Sequence, residues 1–249
     1  MDSDADPDPR HARGGGETML TGCAMKAFMF DLDGTLLDTL EDIATACNRL
    51  LAAHGWPGHP VAAYRHMIGN GFATLIRRAV PESALASLDN GALERLVEEG
   101  RGIYAAHLHG ATAPYPGMEK TLAELARRGF ALAVLSNKPD EMTRAVIARQ
   151  FPSIPFARVR GGRADTPLKP DPSGALAVLR EMRVAPEECF YVGDSAVDMR
   201  TARAAGMTPV GVSWGFRGEA EVVAAGAACV LRRAEDALSL AEGRLEFLK

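Results

Sequence analysis

Apolar and polar positions along the chain change their period twice. Residues 25–34, MKAFMFDLDG, carry the apolar run Phe28-Met29-Phe30, which stops at two acids and predicts a short buried strand ending in a loop. From residue 40 the spacing turns helical: Leu40, Ile43, Ala44, Cys47, Leu50 and Leu51 share one face, until Gly55 and Pro57 break it. VAAYRHMIG, GFATLIRRAV and SALASLDNGALERLVEEGRGIYAAHL continue as helices separated by Gly, Asn and Pro. Residues 40–113 therefore read as all-helical, with no strand. At Pro114, Pro116 and Gly117 the pattern changes again. Strands (ALAVLSNK, FARVRG, ECFYVGDS, TPVGVSWG, ACVL) now alternate with helices (MEKTLAELARRGF, EMTRAVIARQF, PSGALAVLREMRV, AVDMRTARAAG, AEDALSLAE).

Such alternation builds a parallel sheet covered on both faces. The predicted fold class is α/β: a parallel-sheet Rossmann-like core with a small all-helical cap inserted after the first strand. Residues 25–39 and 114–249 form the core and 40–113 the cap. Residues 1–24, rich in Asp, Pro and Gly and without periodicity, read as a disordered leader; Met19 and Met25 are equally placed to be the first residue.

Composition narrows the class of function. The chain has 249 residues, 47% hydrophobic and 24% charged, with a net charge of −4 and scattered Lys and Arg, which argues against a nucleic-acid partner. No apolar run approaches the ~20 residues of a membrane span, and no signal-peptide pattern opens the chain. Cys23, Cys47, Cys189 and Cys229 match no zinc or redox spacing and read as reduced thiols of a cytoplasmic protein.

The chemistry starts at the end of the first strand. Asp31 and Asp33 stand one residue apart; like charges repel and burial worsens the repulsion, so a bound cation is the usual compensation. Other predicted strands end in the same manner, at Ser136-Asn137-Lys138 and at Gly193-Asp194-Ser195, with Asp198 one turn further on and Lys169 in the intervening loop LKPDPS. Ligands of open parallel sheets bind outside the carboxyl ends of the strands. Three carboxylates, a hydroxyl and a lysine at one such edge suit a divalent cation and a phosphoryl group.

DLDGTLLDT, LSNK, LKPDPS and GDSAVDM resemble, in order, the four motifs of the haloacid dehalogenase superfamily. Within it, SNKP, KPDPS, VGDSAVDM and GVSWGF look like those of the phosphoglycolate phosphatases. The resemblance implies a magnesium-dependent phosphatase. Asp31 is the expected nucleophile, forming an aspartyl-phosphate, and Asp33 the acid for the leaving oxygen and then the base for water. Asp33 must then start protonated, and its presence points to phosphoryl transfer rather than dehalogenation. Ser136 and the Asn137 backbone N–H would hold phosphoryl oxygens, and Lys169 would neutralise charge. Mg2+ would be held by Asp31, the Asp33 backbone carbonyl and Asp194, with Ser195 and Asp198 behind them and Asp198 orienting Lys169 or a metal-bound water. Gly34 gives the tight turn after the nucleophile, and Thr35 caps it or is plain turn chemistry.

Specificity is expected from the cap, where Gly69, Asn70 and Gly71 form a loop flanked by Arg65, His66 and Arg77. One of these cations, or Lys138, would meet a substrate carboxylate, as 2-phosphoglycolate requires. His107 and His109 read as structural or exposed, and Trp214 and Phe216 as residues that pack the core or brace the cap, with packing favoured. The partner is a small phosphorylated metabolite, and the enzyme a monomer or homodimer. Alternatives are a phosphosugar phosphatase or phosphomutase, a pyrophosphatase or a nucleotidase, and more remotely a non-catalytic phospho-ligand-binding protein.

Overall fold

The computed structural model describes residues 25–107 and 110–248. The expected leader, Cys23 and His109 lie outside the described residues. Strand β1 (Ala27–Phe30) is followed by the short β2 (Leu37–Asp38). Helices α1 (Leu40–Ala53), α2 (Tyr64–Met67), α3 (Phe72–Ala79), α4 (Glu82–Leu85) and α5 (Asn90–His107) come next, then β3 (Ala113–Pro114). The remainder alternates: α6 (Met118–Arg127), β4 (Ala131–Pro139), α7 (Asp140–Gln150), β5 (Phe156–Gly162), α8 (Ser173–Met182), β6 (Cys189–Gly193), α9 (Ala196–Ala205), β7 (Thr208–Val212), α10 (Glu219–Ala224), β8 (Cys229–Leu231) and α11 (Asp236–Ala241).

The main sheet has six strands in the order β5-β4-β1-β6-β7-β8, every pair parallel. The all-apolar sequence of β1 follows from its central place, where both faces are covered. Alternation then sorts its side chains. Phe28 and Phe30 enter the core under α6, α7 and α11 with Leu122, Leu125, Val146 and Leu240. Ala27 and Met29 face the opposite layer with Ala175, Val178 and Ala202 of α8 and α9.

The helices between β2 and β3 build an apolar cluster of their own. Ile43, Cys47, Leu50 and Leu51 of α1 meet Phe72, Leu75 and Ile76 of α3 and Leu96, Val97 and Tyr104 of α5. The helical face expected for α1 is the buried face observed.

Three details differ from the pattern-based expectation. A two-stranded antiparallel ribbon, Leu37↔Pro114 and Asp38↔Ala113, closes the neck of the helical segment, so Ala113 is a strand residue. Two-residue strands are too short to carry a period, which is why the alternation hides them. Helix α10 was not expected. The helical run expected from Ser83 onward is divided between α4 and α5, where the Asp89 carboxylate accepts from the Ala92 backbone N–H at 2.6 Å and starts a new helix.

The neck is pinned by a buried carboxylate. Asp42, in the first turn of α1, accepts from the backbone N–H groups of Ala111 and Thr112 and from the Thr112 hydroxyl, at 2.6–2.9 Å. Replacing Asp42 with Ala strands those donors and should cost about 2–3 kcal/mol. Urea unfolding should show a lower midpoint with an unchanged slope.

Candidate active site

Four chain segments end at the carboxyl edge of the sheet. The backbone N–H of Asp31, the first residue after β1, still bonds to Val192 of β6. Ser136, Asn137 and Lys138 form the buried end of β4. Asp194 and Ser195 follow β6, and Asp198 sits in the first turn of α9. Lys169 is brought in by the loop before α8. Asp31, Asp33, Ser136, Asn137, Lys138, Lys169, Asp194 and Ser195 line one pocket, whose roof carries Gly69, Gly71, Ile43, Phe72 and Tyr104. The cavity is small, about 50 Å³.

Lys169 organises the acids. Its Nζ lies 2.8 Å from Asp31 Oδ1 and 2.8 Å from Asp198 Oδ1, with all three side chains largely buried. Burial alone would lower the Lys169 pKa, but the two carboxylates outweigh it and hold the ammonium well above its usual value. Asp198 spends its other oxygen, Oδ2, on the Ser195 backbone N–H and hydroxyl. It therefore holds Lys169 in place and caps α9 at the same time.

Asp194 accepts from the Phe216 backbone N–H at 2.7 Å. Gly34 is required beside it. Its φ is +86°, and a Cβ there would stand 2.5 Å from Asp194 Oδ2. Thr35 is fully buried, outside the pocket lining; its carbonyl accepts from the Trp214 indole.

The buried acids can hold a cation. Oxygens of Asp31, Asp194 and Asp198 lie within 4.8 Å of one another. Burial pushes the Asp31 carboxyl up to about 7, against the opposing pull of Lys169, and pushes Asp194 well above the usual range. With Asp33 included, four carboxyl groups face two ammonium groups, Lys138 and Lys169, an excess of two negative charges when all are ionised; the Arg217 guanidinium, which bonds to backbone carbonyls and to none of these acids, is outside this count. A divalent cation matches that excess and the hard oxygen donors. Both oxygens of Asp198 are engaged, by Lys169 and Ser195, whereas Asp31 bonds to Lys169 through Oδ1 alone and Asp194 to Phe216 through Oδ2 alone, so each of these two could offer its other oxygen to a cation.

Other expected residues fall differently. Arg65 is exposed on α2 and, like Asn70, does not line the pocket; the Asn70 side chain accepts from Arg78. Arg77 is exposed. The Asn137 side chain is fully engaged: Nδ2 donates to the Gly69 and Lys169 carbonyls, and Oδ1 accepts from the Lys169 N–H. Lys138 is buried between Asp33 Oδ1 (2.9 Å) and the Tyr104 hydroxyl (2.6 Å), not free in the pocket. Phe216 does more than pack the sheet: it joins the helical cluster of α1–α5 and lines the pocket.

Tyr104 and Arg217 were missed. Tyr104 is one aromatic on a long amphipathic helix and carries no sequence signal. Arg217 follows β7, and the rule that strand ends carry function could have found it. Arg217 lines the pocket, and its guanidinium donates to the carbonyls of His66 and Ile68.

Comparison with known proteins agrees with this geometry. The family model of haloacid dehalogenase-like hydrolases matches residues 25–206. The phosphoglycolate phosphatase of Pseudomonas putida is 34% identical over 203 residues, 81% of this chain and 74% of its own length. That of Vibrio parahaemolyticus is 34% identical over 77% of this chain and 85% of its own length. The crystal structure of a predicted phosphoglycolate phosphatase from Haemophilus somnus superposes with a TM-score of 0.81 at 26% identity, covering 87% of this chain and 98% of that one. CbbY from Rhodobacter sphaeroides, solved in complex with phosphate, gives 0.71 at 28% identity, covering 85% and 96%.

The chain belongs to the haloacid dehalogenase-like hydrolases. Within that family it is an enzyme of the phosphoglycolate phosphatase-like kind, a phosphatase acting on small phosphorylated substrates. Among the described residues, no helix is long and apolar enough to cross a membrane.

The charge excess gives a signed prediction. A carboxyl whose folded pKa is raised adds stability that is fully present below its unfolded value, near 3.8, and is lost as pH rises through about 7 for Asp31. A divalent cation should therefore raise the melting temperature more at pH 8 than at pH 5. Asp194→Asn should lose most of the pH 8 increment, as read by thermal melts with magnesium against chelator.

Proposed function

We propose that this enzyme is a magnesium-dependent phosphatase that hydrolyses a small phosphomonoester, 2-phosphoglycolate, through an aspartyl-phosphate on Asp31. The observation that carries the reading is the convergence of Asp31, Asp33, Ser136, Lys169 and Asp194 on one small buried pocket at the carboxyl edge of the sheet. Asp31 and Asp194, with the Asp33 backbone carbonyl, would hold Mg2+. When bound, it supplies the positive charge that lets a phosphate dianion approach a carboxylate.

The chain's own groups then divide the work. Lys169 neutralises charge on Asp31 and the phosphoryl oxygens, and Ser136 donates its hydroxyl to one of them. Asp31 Oδ2 attacks phosphorus while Oδ1 stays on Lys169. Asp33 gives its proton to the leaving oxygen as the P–O bond breaks. It later takes a proton from the water that displaces Asp31 and frees inorganic phosphate. Both donors to the Asp33 side chain, Thr39 and Lys138, use Oδ1, so Oδ2 is the oxygen suited to carry that proton.

Residues 40–113 act as a cap over this edge, and the size of the pocket supports a small substrate. The roof residues Phe72 and Tyr104 and the sheet edge leave a cavity of about 50 Å³ between them. Among the pocket cations, Lys169 and Lys138 are committed to carboxylates, which leaves Arg217 to meet a substrate carboxylate. The reaction is placed in the cytoplasm, in keeping with the free thiols of Cys47, Cys189 and Cys229.

Phosphate release from 2-phosphoglycolate, phosphosugars, nucleotides and pyrophosphate should be fastest for 2-phosphoglycolate and vanish with chelator. Asp31→Asn should reduce turnover by at least about 1,000-fold, since it removes the nucleophile itself. Near-wild-type turnover of that variant, or preference for a bulky phosphoester, would overturn the mechanism or the substrate respectively.

A further inference from the structure

Lys138 has the appearance of a substrate-binding cation in the sequence and a different set of contacts in the fold. Its Nζ lies 2.9 Å from Asp33 Oδ1 and 2.6 Å from the Tyr104 hydroxyl, and 4.6 Å above the Tyr104 ring. The side chain is 3% exposed, so no substrate carboxylate reaches it without breaking this contact. Tyr104 is itself 1% exposed and stacks near Phe72 within the cluster of α1–α5. Burial pushes its phenol up to about 12, so it stays a neutral hydroxyl. A single buried ammonium thus joins the side chain expected to move the proton, after β1, to Tyr104 of α5, which lies much later in the chain.

We propose that Tyr104 and Lys138 are a positioning pair for Asp33: docking of α5 on the sheet edge sets the Lys138 ammonium against Asp33 Oδ1 and leaves Oδ2 aimed at the leaving group. The inference rests on Asp33 being the acid of the phosphatase reaction. Its balance is simple. The Asp31–phosphorus bond forms and the phosphorus–leaving-group bond breaks. The Asp33 proton moves to the leaving oxygen. The negative charge left on Asp33 is compensated by Lys138. With α5 lifted, Lys138 loses Tyr104, and Asp33 loses its fixed orientation. The acid is then in place only when the roof excludes water. Other contacts cross the same seam: Asn137 to the Gly69 carbonyl and Arg217 to the Ile68 and His66 carbonyls hold the segment next to it.

Leaving-group dependence separates this role from a structural one. An alkyl phosphomonoester needs a proton on its leaving oxygen; acetyl phosphate, of similar size, expels a carboxylate that needs none. The value of kcat/KM reports steps only through aspartyl-phosphate formation, so later hydrolysis does not blur the comparison. For wild type, Tyr104→Phe and Lys138→Met, the ratio of kcat/KM for 2-phosphoglycolate to that for acetyl phosphate would be measured, with thermal melts confirming folding. The ratio should fall about tenfold in Tyr104→Phe and about 100-fold in Lys138→Met, the scale of general acid catalysis. Tyr104→Phe keeps the ring and tests the pair even where Lys138→Met fails to fold. A ratio that stays constant, whether both substrates slow equally or neither does, overturns the pair. Wild-type turnover of acetyl phosphate but of no alkyl phosphomonoester would refute Asp33 as the acid. Turnover of neither would refute the phosphatase reading itself.

Discussion

Carboxylate oxygens from Asp31, Asp194 and Asp198, held within 4.8 Å of one another under a protein surface, set the conditions that the rest of the structure must meet. Buried like charges are expensive, and the fold compensates them with one ammonium, Lys169, threaded between Asp31 and Asp198. The backbone is shaped around the acids as well. A Cβ at Gly193 would lie 2.3 Å from the Asp198 Cβ, and one at Gly215 would lie 2.2 Å from the Asp194 Cβ. Side chains are excluded there because the carboxylates occupy the space. The excess charge that remains is the physical reason for a divalent cation in the proposed reaction.

The sheet and the helices above it are held together by different forces. Each has its own apolar cluster. The seam between them, near the pocket, is largely polar: Lys138 to Tyr104, Asn137 to Gly69, Arg217 to Ile68 and His66. Polar contacts of this kind exchange for water at small net cost when the seam opens, whereas separating two apolar faces would not. Phe216 and Met142 are the exceptions, apolar residues from the sheet side that join the upper cluster. A roof attached in this way can admit substrate and still exclude water once closed.

Much of this was legible in the sequence because strand ends announce themselves. An apolar run that stops at Asp31, at Ser136 or at Asp194 marks both the strand and the edge where ligands bind, and the periodicity of α1 marked its buried apolar face except Ala46. Contacts made across the seam were not legible. Tyr104 reads as an ordinary core aromatic, since nothing local shows that its hydroxyl will meet a lysine 34 positions later. Arg65 and Arg78 look alike in the sequence. Only the fold leaves Arg65 exposed and turns Arg78 back onto the loop, where it holds Asn70 and the Met67 carbonyl. The ribbon of β2 and β3 was hidden for a third reason: two residues are too few to show a period.

The end of β4 shows how closely the chemistry is tied to strand geometry. Ser136, Asn137 and Lys138 are consecutive, and in an extended chain consecutive side chains point to opposite faces. Ser136 lines the pocket. Asn137 fixes the Lys169 loop through two hydrogen bonds and reaches Gly69 with a third. Lys138 reaches Asp33. A shift of one residue in the register of β4 against β1 would move each of the three onto its neighbour's partner, taking the ammonium away from Asp33 and the tether away from the Lys169 loop. That register is set just below the site, by Leu132 and Val134 pairing beside Phe28 and Phe30 in the buried center of the sheet. The apolar core therefore acts on the reaction by choosing which of three adjacent polar side chains faces which partner.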